Sequence, residues 1–330
     1  MINRKQFLGL FAAQALTATL STAQAQGKTV IRFSSPSPMN DPLLRAMQMF
    51  KEEVEKKIPE VEVQLFPANQ LFRQGTEVPA LQRGNLEMGT FNVPELAQRL
   101  PEFGFFNRAF AFDDYPAFEN AFSGRAGRAL QQAALERLGI VMLASSYMGA
   151  RQIALRTDRT VNNPSDLAGL KLRVPGAPDW IAMGKALGAS ATPMGLPDVY
   201  LAMQSGAIDA VENPISIIHS TKHDELMKQL VLTSHMIMTV HFSIAKTVFD
   251  KFTPAQQDVI REAAARAAAW NTQERLASEK TQIEEYKRKG VKITKPDLAA
   301  FKANASKIYA SEDFVKAWDK TLMKEIGLAQ

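Results

Sequence analysis

Residues 170–214, LKLRVPGAPDWIAMGKALGASATPMGLPDVYLAMQSGAIDAVENP, carry the pattern from which the fold can be read. LKLRVPG is a strand-like run stopped by Pro175-Gly176. APDWIAMGKALGA follows as a helix, with Pro178 near its start and Gly188 closing it. ATPMG is a second strand, LPDVYLAMQSG a helix begun by Pro197, and AIDAVENP a third strand. Strands alternating with helices predict a parallel, doubly wound sheet, in which ligands bind beyond the carboxyl ends of the strands. Arg173 is the anomaly: it sits between Leu172 and Val174, where such a strand buries aliphatic residues. A guanidinium cannot shed its charge, so it either reaches solvent or meets an anion.

The same grammar precedes this stretch. TVIRFSS (29–35) and VEVQLFP (61–67) read as strands around a helix over 42–57. That helix is begun by Asp41-Pro42, with Met47, Phe50, Val54 and Ile58 at helical spacing. GTEVPALQRG is a further helix, and LEMGTFN a short strand. LQRGNLEMGTFN (81–92) and MQSGAIDAVEN (203–213) share an apolar–Gln–x–Gly–x–(Leu/Ile)–acid pattern. This faint repeat predicts two α/β lobes of similar architecture presenting strand-end loops to a shared cleft. Residues 254–290 read as one helix of ~50 Å. Val259, Ala263, Ala267 and Trp270 do not sustain a heptad, so a helix spanning the backs of both lobes is preferred to a coiled-coil arm. The lobes are expected at 26–149 plus about 238–270, and 150–237 plus about 271–330.

Composition bounds the function. Residues 1–25 have a basic start at Arg4-Lys5, an apolar middle and the small-residue pattern Ala23-Gln24-Ala25, and read as an export signal. No later stretch is long and apolar enough to span a bilayer. Without Arg4 and Lys5, 37 basic residues face 34 acidic ones, a balance too mild and unclustered for nucleic acid. Cysteine is absent, which removes disulfides, thiol catalysis and thiolate metal sites. The motifs of serine hydrolases, phosphate-binding loops, dinucleotide sites and zinc proteases are missing, so no enzyme and no cofactor is expected. His219 and His223, four apart, could share a helical face as a metal pair; a solvated face beside Lys222 and Asp224 is the preferred reading.

Taken together, DLAGLKLRVPG (166–176) and GASATPMGLPDVYLAMQSGAIDAVENP (188–214) resemble the solute-binding subunits of tripartite ATP-independent periplasmic (TRAP) transporters, the DctP family. NQLFRQGTEVPALQRGNLEMG (69–89) and YMGARQIALRT (147–157) match that pattern too. The resemblance implies a periplasmic, two-lobed, monomeric binding protein that hands a small organic acid to an integral-membrane permease. It implies Arg173 as the carboxylate clamp, a planar fork suited to two charge-assisted bonds. Arg151 would be a second arginine of the site or a structural ion pair near the hinge. Asn213, Phe91 and Asn92 would face the cleft. Trp180 would close it or belong to the core, and Tyr147 and Met148 would line the hinge. His235 would lie near the pocket or serve packing, and Glu77 would accept ligand hydroxyls or merely start its helix. Leu196 stands where some sialic-acid-binding relatives place an aromatic residue, which favours another acid. Hydroxy-, oxo- or sugar acids rank above a plain dicarboxylate. A sensor-linked binding protein, or a secreted hydrolase or lyase, are the competing readings.

Overall fold

The structure, a computed structural model, describes residues 28–328; the expected export signal lies outside the described residues. Among the described residues there are ten strands: β1 (Thr29–Ser34), β2 (Val61–Phe66), β3 (Met88–Phe91), β4 (Ile140–Leu155), β5 (Lys171–Val174), β6 (Ser190–Pro193), β7 (Ala210–Pro214), β8 (Gln229–Val231), β9 (Ile237–Ala245) and β10 (Lys292–Thr294). Their order is β2-β1-β3-β9-β4-β7-β5-β6, with β8 beside β4 and β10 beside β8. β1 runs parallel to both β2 and β3, and β5 runs parallel to both β6 and β7. These two parallel triplets are the two lobes, and they contain the two halves of the faint sequence repeat.

The sheet as a whole is mixed, not parallel throughout as the alternation of strands and helices suggests. β9 is antiparallel to β3 and β4, and β4 is antiparallel to β7. The 16-residue β4 passes from one lobe into the other. Up to Ala150 it pairs with β9; from Arg151 onward it pairs with β7 and β8. Its pairing with β9 shifts register between Tyr147 and Gly149. The sequence there, ASSYMGARQ, interrupts any alternation with polar residues and glycine, which conceals the strand.

The helix Pro42–Lys57 buries Leu43, Met47, Phe50 and Val54 against the first lobe's strands. Asp41 caps it by accepting from the Leu43 amide at 2.9 Å. Phe33 of β1 meets Phe50 and Phe242 edge-on at 5.7 and 5.6 Å. Each such buried side chain contributes roughly 1.5–3 kcal/mol. Phe50→Ala would remove about 3–5 kcal/mol.

The helix Pro254–Arg288 opens with a capping box between Thr253 and Gln256. Its first half buries Ala263, Ala264, Ala267 and Ala268 in the core of the first lobe. Ile283 and Tyr286, near its end, join the core containing Val199, Met203, Ile208 and Val211 of the second lobe. Small alanines allow close approach to the sheet, and the 35-residue length reaches both lobes. Among the described residues no helix is long and apolar enough to cross a membrane.

Candidate functional site

The parallel triplets point their carboxyl ends toward one cleft. Its walls include Pro36, Ser37 and Pro38 after β1, Thr90 and Asn92 at the end of β3, and Gln74 from the loop before the helix Glu77–Gln82. From the other lobe come Arg173 and Pro175 at the end of β5, Leu196 after β6, and Asn213 in β7. Met148 and Arg151 of the crossing strand form the back, and Trp180 adjoins. This inner space is about 570 Å³, part of it open to solvent, and it widens toward a mouth lined by Arg73, Glu95, Met194 and Asp198.

Among the described residues three arginines are buried almost completely: Arg151, Arg173 and Arg275. Arg275 pairs with Asp41 and Arg151 with Glu212. Arg173, only 2% exposed, has no carboxylate partner among the described residues. It donates from Nε and Nη2 to the Met194 carbonyl at 2.9 and 2.7 Å, which fixes the plane of the fork. Nη1 has no partner among the described residues. Burial, reinforced by Arg151 and opposed by Glu212, pushes its pKa down to about 10, so it remains cationic at neutral pH.

Arg151 is built differently. It donates from Nε and Nη2 to both oxygens of Glu212, the latter bond at 2.7 Å, and again to the Glu212 carbonyl. Its guanidinium carbon lies 4.7 Å from the Trp180 ring centre. Behind Glu212, His235 Nε2 lies 3.1 Å from the carboxylate, and His235 Nδ1 lies 2.8 Å from the Thr233 hydroxyl. Burial pushes the His235 pKa down despite Glu212, which makes it a neutral ring donating Nε2–H and accepting at Nδ1. Burial would raise the Glu212 pKa, but Arg151 and His235 outweigh it and hold the carboxylate ionised. Arg151 thus enters the cleft with its charge already balanced.

Asn213 lines the cleft with its buried Nδ2 unpartnered among the described residues. Asn92 Oδ1 caps the helix Val93–Ala97 by accepting from the Glu95 amide at 3.0 Å. Trp180 takes both expected roles: it is 5% exposed and packed in the core, and it also walls the cleft. Leu196 and Met148 line the same space.

Three expected residues stand elsewhere. Phe91 packs in the core, because strand side chains alternate and its neighbours Thr90 and Asn92 take the cleft face. Glu77 is buried beneath the cleft wall, where it accepts the Ser34 hydroxyl at 2.7 Å. His235, fully buried, touches Glu212 rather than the cavity. Glu95, not Glu77, reaches the mouth. His219 ends the helix Ile215–Ser220 exposed and bonded to Asp224, while His223 is buried against Thr221 after a turn at Lys222, so they share neither helix nor solvated face. Glu212 is the functional residue that sequence reading missed. A lone acid in the fully buried strand AVENP was a signal for a buried cation opposite it.

A cleft between two α/β lobes, backed by one long helix, is the architecture of a periplasmic-type solute-binding protein. The model of the DctP family, bacterial extracellular solute-binding protein, family 7, matches residues 33–315, and the chain belongs to that family. The sialic acid-binding periplasmic protein SiaP of Vibrio cholerae is 25% identical over 300 residues, 91% of this chain and 93% of its own. A TRAP periplasmic solute-binding protein of Roseobacter denitrificans, solved with 3-deoxy-D-manno-oct-2-ulosonic acid, superposes with a TM-score of 0.87 at 31% identity. That match covers 91% of this chain and 98% of the other. A TRAP protein of Sulfitobacter sp., solved with β-D-galacturonate, gives a TM-score of 0.82 at 27% identity over 90% and 98% of the two chains.

Proposed function

We propose that this protein is the periplasmic solute-binding subunit of a TRAP transporter, that it captures a hydroxylated monocarboxylic acid without transforming it, and that it delivers this acid to the membrane permease. The observation that carries the reading is Arg173: a buried guanidinium at a strand end, held flat by Met194 and lacking a counter-ion among the described residues. A buried charge is costly unless paired, and a ligand carboxylate supplies the pair.

The charge balance of the cleft supports one carboxylate rather than two. Glu212 already neutralises Arg151, so Arg173 is the cation of the inner cleft left to match, while Arg73 stands only at the mouth with Glu95. The opposite wall offers Ser37, Gln74, Thr90 and Asn92, neutral groups suited to hydroxyls, with Glu95 at the mouth. A second carboxylate would meet Glu95 or remain poorly solvated between Trp180, Leu196 and Met148. Sugar acids and small hydroxy- or oxo-acids therefore rank above plain dicarboxylates, in keeping with the acids bound by the Roseobacter and Sulfitobacter relatives. The change of partners in β4 at Ala150 and Arg151 supports placing the lobe boundary there.

A thermal-shift panel of uronates, aldonates, 2-keto sugar acids, hydroxy acids, C4 dicarboxylates, neutral sugars and amines tests this. A monocarboxylate at 100 times its dissociation constant should add ~2.7 kcal/mol of stability. If only neutral sugars, amines or dicarboxylates raise the melting temperature, the reading is wrong.

A further inference from the structure

The long helix changes character where it crosses β4. Its buried positions up to Ala268 are Ile260 and four alanines, then become Asn271 and Arg275, both fully buried. Together with Glu279 these residues stand four apart, one above another on one helix face. All three address the stretch of β4 that changes lobes. Asn271 donates from Nδ2 to Ser146 Oγ at 2.6 Å and to the Tyr147 carbonyl at 3.1 Å. Glu279 Oε1 accepts from the Tyr147 hydroxyl at 2.8 Å and from the Ala150 amide at 3.4 Å.

Arg275 between them reaches three segments with one planar group. Nη2 donates to Asp41, the cap of the first lobe's helix Pro42–Lys57. Nη1 donates to the Ser216 hydroxyl, on the helix that follows β7 in the second lobe, and at 3.4 Å to the Met148 carbonyl of β4. Nε donates to Asn271 Oδ1 at 3.1 Å, which locks the fork. Each segment runs within three residues into the cleft wall: Asp41 into Pro38, Ser216 into Asn213 and Ile217, and Met148 is itself wall. Arg275 does not line the cleft.

We propose that Arg275 is a positioning residue for ligand binding: by holding Asp41, Ser216 and the Met148 carbonyl in one plane, it fixes the spacing of the cleft's two walls behind the ligand. This rests on the solute-binding reading above. Because the fork touches all three wall segments and does not itself line the cleft, its loss should weaken every acid by the same factor. A wall residue would instead alter the ranking among acids.

The test uses Arg275→Lys, which keeps the charge and breaks the three-way plane, and Ser216→Ala, which removes one acceptor and leaves the buried Arg275–Asp41 pair. Calorimetric affinities for three acids that bind wild type are compared, alongside unfolding curves. The expected result is an affinity loss of about tenfold or more for Arg275→Lys, equal across the acids, and a smaller parallel loss for Ser216→Ala. Dissociation should speed up, and small-angle scattering of the liganded protein should broaden. Unchanged affinity in either folded variant, or a loss that reorders the acids, overturns the inference. If Arg275→Lys does not fold, Ser216→Ala decides. Failure of wild type to bind any acid is a different result and refutes the solute-binding reading instead.

Discussion

Replacing Arg173 with methionine should weaken acid binding about 30-fold or more while slightly stabilising the ligand-free protein. The magnitude follows from the surroundings of the guanidinium. Burial and the like charge of Arg151 lower its pKa from 12.5 to about 10, against the pull of Glu212. That drop corresponds to about 3 kcal/mol of unfavourable charging in the folded state. Since the folded pKa lies below the unfolded one, the penalty is carried at every pH below about 10 and is relieved only above it. Methionine removes this penalty and fits the same apolar stem, but it forfeits the charged bonds to the Met194 carbonyl, worth ~2 kcal/mol. A net gain of about 1 kcal/mol remains, or roughly 2 °C in melting temperature. Binding should fall by ~2–5 kcal/mol, about 30-fold to several thousand-fold, because the ligand carboxylate loses its counter-charge. Calorimetric titration and scanning calorimetry on one preparation give both numbers. A stability loss of about 3–5 kcal/mol, the signature of breaking a buried pair, would refute the idea that Arg173 is uncompensated within the protein. Affinity within threefold of wild type would refute the clamp.

Two further outcomes follow from the walls of the cleft and the crossing strand. Burial and the neighbouring Glu95 raise the Glu77 carboxyl to about 8, and burial raises Glu95 to about 7. Folded pKa values above the unfolded ones mean that the native state holds protons the unfolded chain releases. Stability should therefore fall as pH rises from about 4.5 toward 7–8. Glu77→Gln should flatten that decline in melting temperature against pH; an unaltered slope would place its origin elsewhere. Gly149 has φ +128, and a Cβ there would lie 2.6 Å from Pro214 Cβ and 3.1 Å from Glu279 Oε1. Gly149→Ala should cost about 2 kcal/mol or more in denaturant unfolding. A loss below 0.5 kcal/mol would show that the strand crossing tolerates movement.

Local physics makes much of this protein legible in its sequence. Proline and glycine punctuation, helical spacing at Met47, Phe50 and Val54, and the strand–helix alternation of 170–214 identify two α/β lobes and the long helix across them. Arg173 stands out because a permanent charge in an apolar strand demands an explanation that no nearby residue offers. Tertiary structure alone decided the rest. Which side of β3 faces the cleft depends on the pairing with β1 and β9, so Thr90 and Asn92, not Phe91, reach it. The role of Arg151 depends on Glu212, 61 residues away, and the burial of Arg275 depends on Asp41, 234 residues away. β4 and β9 carry no clear alternation because each is buried by different partners along its length. A sequence states which residues hold charge and where the chain can turn. Which charges cancel, and which one keeps no ion-pair partner among the described residues, is set by contacts between residues that only folding brings together.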